Sequence, residues 1–344
     1  MSVFITAVAS ILIFGLVIFI HELGHFLTAK YSSIKVNEFA LGMGPTLIKK
    51  VKGETTYALR LFPIGGFVSM EGEDEESSDE HSFQRAPVGN RILVVVAGAC
   101  MNLLLGFLVL AIIVCMQTNI TSRVVSGFYE ENASTYQSGL RAGDEIVAVN
   151  GRRCFIADDI VYEFARTADG TADFTVKRDG QKIELKNVIF QTKQNAEGAN
   201  NIVIDFYVQP IEKTPITVLK EAGKWTVSLA RLVFLSLVDL VTGRVPVNEL
   251  SGPVGIVSTI SKVSSMGIRP LLTLLALITV NLGVFNLLPI PALDGGRLVF
   301  LMIEAIRKKP LNPKYEGVIN TVGFGALMLL MLFVTFNDIS RLLF

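Results

Sequence analysis

The sequence predicts a polytopic α-helical membrane protein with four transmembrane helices. Composition is the first indication: 51% of the 344 residues are hydrophobic and the mean hydropathy is +0.51, too apolar for an ordinary soluble enzyme. Charge-free stretches are the second. Residues 2–20 and 92–117 contain no charged side chain, and residues 271–293 contain none before Asp294. A fourth apolar run covers 317–336. Each approaches or exceeds the roughly 20 residues that cross a hydrocarbon core. Formal net charge is zero, so nothing points to a nucleic-acid partner. The three cysteines, Cys100, Cys115 and Cys154, support neither a disulfide framework nor a cysteine metal cluster.

The first run has no basic flank before it and no small-residue cleavage site, so it reads as a retained span. It leads directly into His21-Glu22-Leu23-Gly24-His25. Residues four apart share one face of a helix, so His21 and His25 can bind one zinc ion. Glu22 then stands beside the water that such a metal activates, where a general base belongs. Ionisable groups at membrane depth are costly and usually functional. The pentad therefore points to a zinc hydrolase working within a bilayer.

Orientation follows from lysine and arginine. Lys30, Lys35, Lys49, Lys50, Lys52, Arg60, Arg85 and Arg91 separate the first two runs, and Arg307, Lys308, Lys309 and Lys314 separate the last two. The acidic run 71–80 does not cancel them, because carboxylates weigh little in this rule. Both basic segments are expected in the cytoplasm, with the N-terminus, residues 118–270 and the C-terminus outside.

Residues 215–243 are also hydrophobic but carry Lys220, Glu221, Lys224, Arg231 and Asp239. Lys224, Ser228, Arg231, Asp239 and Thr242 fall within about 80° of one another on a helical wheel. An interfacial amphipathic helix is the expectation. Topology agrees: only if this segment does not cross does the run at 271–293 bring Asp294 to the depth of the His pair.

A catalytic zinc needs a third protein ligand. The remaining histidine, His81, lies in an acidic, polar loop. Asp294 is the better candidate. It follows Pro289 and Pro291, which must interrupt a membrane helix, and precedes Gly295-Gly296, which free the backbone. Asn281 and Asn286 lead into this break; their amides either join helices or face a substrate backbone or oxyanion.

Together HELGHF (21–26), FALGMGP (39–45), PIGGFV (63–68), ELSGPVGI (249–256) and NLLPIPALDGGR (286–297) resemble the site-2 protease family of intramembrane zinc metalloproteases. The nearest resemblance is to its regulator-of-sigma-E protease-like branch, and it covers nearly the whole chain. The resemblance implies His21, His25 and Asp294 as zinc ligands and Glu22 as catalytic base. It implies a substrate-handling role for Asn281 and Asn286, with Gly42, Gly44, Pro289 and Pro291 as further substrate-binding candidates. It also implies a membrane-associated β-hairpin from the Gly-rich 39–68 segment, with TTYALRLF as one strand, whose edge could hold an unwound substrate by strand addition. One departure stands out: Ala97-Gly98-Ala99 where the family often has Ala-Gly-Pro, a packing variation, with Asn102 following as expected.

Residues 122–210 shift to a charged, strand-and-turn composition. SGLRAGDEIVAVNG (138–151) resembles a PDZ core, with a strand EIVAV and an Asn150-Gly151 hairpin turn. DFTVKRDGQKIELK (173–186) reads as a second hairpin around Asp179-Gly180. No clear carboxylate-binding Gly-Leu-Gly-Phe-type loop is visible, so capture of a peptide terminus is not expected. The family resemblance implies instead a steric gate that excludes substrates with bulky outer domains.

The expected layout is a first membrane half (1–117), an extracytoplasmic PDZ-like α+β domain (118–212), an interfacial helix and connector (213–270) and a second membrane half (271–344). The implied activity is cleavage, in a bacterial inner membrane, of single-span proteins already trimmed by a site-1 protease. Anti-sigma factors and remnant signal peptides are the obvious substrates. Two rivals are a catalytically silent PDZ-bearing scaffold and an ion-coupled transporter. A scaffold has no need of the four chemical groups, and a transporter would show inverted repeats.

Overall fold

The computed structural model describes every residue except 1–2, 74, 76, 166–169, 195–199, 244–249 and 344. Part of the predicted connector, 244–249, and Glu249 of the ELSGPVGI motif lie outside the described residues. The chain divides into two compact units, Met1–Val109 with Leu232–Phe344, and Leu110–Arg231.

The first unit begins with helix α1 (Val3–Tyr31), followed by the strands β1 (Val36–Lys52) and β2 (Thr55–Met70). A 3-10 turn (Phe83–Arg85) precedes helix α2 (Val88–Met116). Four helices among the described residues are long and apolar enough to cross a membrane: α1, α2 and the later segments Ile268–Leu287 and Lys314–Arg341. The segment 215–243 is not among them.

The predicted hairpin is more elaborate than two straight strands. Each strand bends, β1 near Gly42–Pro45 and β2 near Phe62–Gly65. The antiparallel register runs from Thr46–Arg60 to Lys52–Thr55, and resumes between Glu38–Leu41 and Gly66–Ser69. Glu38–Leu41 also face Thr56–Leu59, with both numbers rising together. Gly42 (φ 83°) and Gly44 (φ 85°) make the bend in β1. A β-carbon on Gly42 would lie 2.5 Å from the carbonyl oxygen of Phe62, so only glycine fits.

The second unit contains β3 (Ile120–Phe128), the single turn α3 (Ser134–Gln137), β4 (Glu145–Val149), β5 (Arg152–Arg153) and α4 (Ala157–Ala165). They are followed by β6 (Thr171–Arg178), β7 (Gln181–Ile189), β8 (Gln191–Gln194), β9 (Asn200–Val203) and β10 (Phe206–Ile211). The main sheet has the order β10-β3-β4-β6-β7, with β5 on β4, and its pairs are antiparallel. Asn150-Gly151 and Asp179-Gly180 turn with positive φ at both positions, as short hairpin loops require. Phe164, Phe174 and Phe190 meet in the core at centroid distances of 4.4–5.7 Å. Asp144, fully buried, is held by the Arg178 fork at 2.7 and 2.8 Å.

Helix α5 (Pro215–Val241) turns its polarity inward. Ser228 and Asp239 are buried, whereas Ile216, Leu219, Val227, Phe234, Val238 and Val241 are exposed. Those apolar residues fall within about 100° of one another around the helix. Ser228 Oγ donates to Asp159 Oδ1 at the start of α4, and Arg231 donates to the carbonyl of Arg153. The polar stripe thus docks on protein and the apolar stripe is left outward.

The first unit is completed by α6 (Pro253–Ser264), α7 (Ile268–Leu287), α8 (Asp294–Arg307) and α9 (Pro313–Leu343). The ELSGPVGI motif explains itself here. Gly255 N–H, in the first turn of α6, donates to Asp338 Oδ2 of α9 at 2.8 Å. A β-carbon on Gly252 or Gly255 would lie 2.9 or 3.0 Å from that carboxylate. At the other end of the unit, Arg91 Nη1 of α2 donates to Glu304 Oε2 of α8 at 3.0 Å.

Candidate metal centre

Three side chains converge from two helices. His21 and His25 project from one face of α1, and Asp294 is the first residue of α8. The apolar run predicted at 271–293 breaks where its prolines require: α7 stops at Leu287 and the chain turns before α8. Ala292 adopts φ 69° in this turn. Gly295 and Gly296 pass so close to the carbonyls of Leu288 and Ile290 that a β-carbon on either would overlap them. The double glycine therefore lets the carboxylate fold back beneath α7. Pro291 packs against Gly323 of α9, and Pro289 is exposed.

The geometry is close to an equilateral triangle. His21 Nε2 and His25 Nε2 are 3.2 Å apart, and Asp294 Oδ2 lies 3.3 and 3.4 Å from them. Ligand atoms on a tetrahedral zinc, at bonds of about 2.0–2.2 Å, stand about 3.3–3.5 Å apart. His25 Nδ1 is 2.8 Å from the carbonyl oxygen of Val94. A carbonyl only accepts, so Nδ1 carries the proton and Nε2 of the neutral ring presents a lone pair. Asp294 Oδ2 is buried and accepts no hydrogen bond. Acceptor lone pairs converging in a buried space call for a cation. Among the described residues this is the one group of His, Cys, Asp or Glu side chains so arranged. The donors fit zinc.

Other predicted residues are placed as follows. Glu22 is half-buried, and its Cγ would lie 3.1 Å from a β-carbon on Gly66 of β2. Asn286 Nδ2 is 3.4 Å from His21 Nε2. Asn281, on the preceding turns of α7, joins no side-chain hydrogen bond among the described residues. Gly42 and Gly44 sit against Phe62 in the bend of β1 and do not reach the triangle. His81 is exposed, with Nδ1 3.1 Å from the carbonyl oxygen of Ser33.

Sequence reasoning missed the wall behind the triangle. A β-carbon on Gly98 of α2 would overlap His25 Nε2 and come within 2.7 Å of His21 Cε1. Gly24 of the pentad lets α1 approach α2 closely, since a β-carbon there would be 2.5 Å from the Ala97 carbonyl oxygen. Asn102, completely buried, faces His21 Nδ1 at 3.3 Å. The signal was present in the sequence: Val94, Gly98 and Asn102 repeat every four residues, the spacing of the histidines.

Two imidazoles on a membrane-length helix and a carboxylate oxygen at the start of α8 form a metal-binding triad of the kind that zinc hydrolases use. The profile of Peptidase family M50 matches residues 9–330, and the chain belongs to that family. It is 32% identical to the Regulator of sigma-W protease RasP of Bacillus subtilis, over 98% of this chain and 99% of the relative. Identity to Zinc metalloprotease RasP of Bacillus licheniformis is 33%, over 98% and 99%. With Zinc metalloprotease RasP of Geobacillus kaustophilus it is 32%, over 97% of each.

Proposed function

We propose that this protein is a zinc endopeptidase of the site-2 type that hydrolyses peptide bonds within the transmembrane segments of single-span membrane proteins. The observation that carries the reading is the triangle of His21 Nε2, His25 Nε2 and Asp294 Oδ2, with Glu22 on the same turn of α1. His21, His25 and Asp294 are the ligands. Zinc, when bound, supplies a Lewis acid that activates water and polarises a carbonyl. Glu22 takes the proton of the attacking water and returns it to the leaving amine. Asn286 is near enough to His21 to meet a scissile carbonyl, and Asn281 handles the substrate farther up α7.

A helical substrate shields its carbonyls by hydrogen bonding and must be unwound first. The Gly66–Met70 leg of β2 supports this: it pairs on one side with β1, and Gly66 packs beside Glu22. Strand addition along its other side would hold an extended substrate at the catalytic base. Gly42 and Gly44 serve by shaping that sheet, and Pro289 and Pro291 by keeping the chain open next to Asp294.

In this reading the N-terminus, the second unit and the C-terminus are extracytoplasmic, and the site lies near the cytoplasmic face of a bacterial plasma membrane. The same reading takes 1–117 and 271–344 as two membrane halves, 118–212 as a single PDZ-like domain and 213–270 as an interfacial connector. The outward apolar stripe of α5 supports lying in the membrane surface rather than crossing it. The alignment with the Bacillus subtilis relative spans 420 positions against the 344 residues here, which suits one PDZ-like domain where that relative has room for more. The domain gates by size, admitting substrates first trimmed by a site-1 protease. The relative's name, a regulator of sigma-W, favours anti-sigma factors as substrates, with remnant signal peptides as a second class.

The test uses the full-length protein in liposomes with a tagged single-span substrate. Mass spectrometry is expected to place the cut inside the substrate's apolar span, and a zinc chelator to abolish it. A cut confined to the flanking soluble segment would contradict the proposal.

A further inference from the structure

We propose that α2 supplies the orienting wall of the metal site, with Asn102 fixing the His21 tautomer as the Val94 carbonyl fixes that of His25. The proposal rests on His21, His25 and Asp294 being the ligands. Val94, Gly98 and Asn102 form one stripe of α2, and each does a different task. Val94 offers a carbonyl to His25 Nδ1 at 2.8 Å. Gly98 offers the space into which both rings fit. Asn102 offers an amide to His21 Nδ1 at 3.3 Å.

The amide can face the ring in two ways that differ only by a half-turn. With Nδ2 towards the ring, Nδ1 must accept. The His21 proton then sits on Nε2, aimed at the other two ligand atoms, and the triangle loses a lone pair. Asn102 Oδ1 is meanwhile buried without a partner. With the half-turn, Nδ1–H donates to Oδ1 and Nε2 presents its lone pair. Only the second arrangement leaves three lone pairs converging, and it gives Oδ1 a donor. Asn102 is itself held in place: its carbonyl oxygen accepts from Thr279 Oγ1 of α7 at 3.1 Å. It is a positioning residue, acting through His21.

The experiment measures zinc affinity of full-length protein in detergent by competition with a chelator, so it does not depend on cleavage. Asn102→Leu keeps the volume and removes the acceptor; it should weaken zinc binding about 10–100-fold, the usual effect of losing such a partner. Asn102→Asp keeps an acceptor and should hold zinc close to wild type. His25→Ala, the reference, should lose the metal. If Asn102→Leu binds as wild type while His25→Ala does not, the role of Asn102 is overturned and the ligand set stands. If His25→Ala also binds as wild type, the ligand set itself fails. Should Asn102→Leu not fold, 15N-histidine NMR of zinc-free wild type decides, because the chain has only three imidazoles. At a pH where the ring carries one proton, that proton is expected on Nδ1 of His21; a single proton on Nε2 overturns the proposal.

Discussion

Two aspartates in the first unit, Asp294 and Asp338, have the same chemistry and opposite circumstances. Asp338 is buried on α9, and its Oδ2 accepts the Gly255 N–H at the start of α6. The positive end of a helix and a hydrogen bond satisfy the carboxylate within the chain. Asp294 also meets glycines and begins a helix. Its Oδ2, however, is buried with no donor and faces two imidazole nitrogens. A carboxylate that the fold satisfies is a joint, and one that it leaves unsatisfied is a binding site.

That contrast can be broken by paired substitutions. The largest effect is expected from Asp294→Asn, which should lower zinc retention and cut proteolysis by more than about 100-fold, since a ligand contributes at least as much as its supporting partners. Asp338→Asn should keep its zinc. Full metal content in Asp294→Asn would remove Asp294 from the ligand set. Next is Gly98→Ala, whose methyl group must displace the His25 ring. Zinc content and cleavage should fall together by at least about 10-fold; unchanged metal binding would show that the wall behind the rings yields.

Asp338→Ala should act on stability instead. Leaving the Gly255 N–H unpaired costs about 1–3 kcal/mol, visible as a lower melting temperature with zinc retained. If zinc is lost as readily as in Asp294→Asn, the two aspartates are not distinct. The smallest effect concerns Cys154. Burial pushes its thiol up to about 12 from the ordinary 9.0. Below its folded value the thiol stays protonated, so at pH 9 it should resist alkylation in the folded protein. In the unfolded chain the same thiol ionises near 9.0 and should react. The raised value favours the folded state below pH 9.0, and that contribution fades as the pH climbs towards 12.

The sequence made the chemistry legible wherever it lay in a local pattern. His21, Glu22 and His25 announce themselves through helical spacing, and Asp294 through the prolines and glycines around it. The Asn150-Gly151 and Asp179-Gly180 turns were equally local. What escaped depends on pairing across the chain. Gly98 read as a packing variation and Asn102 as a residue of the family pattern with no task assigned, because their meaning comes from rings about 80 residues away, as the separation of Asn102 from His21 (81 positions) illustrates. The joint between Gly255 and Asp338 spans 83 positions. The Gly-rich 39–68 segment pointed to a hairpin but not to strands that each bend and fold back on the partner. For α5, the wheel separated polar from apolar residues without saying which side meets protein. The structure puts the polar side inward, the reverse of a soluble helix.

Replacing Glu22 with Gln tests the central claim most directly, because it changes one oxygen and leaves His21, His25 and Asp294 in place. Cleavage of a tagged single-span substrate in membranes should drop by about 10²–10⁴-fold, the usual contribution of a general base, while zinc content stays at the wild-type level. Unchanged cleavage by Glu22→Gln would contradict the assignment of catalysis to this site.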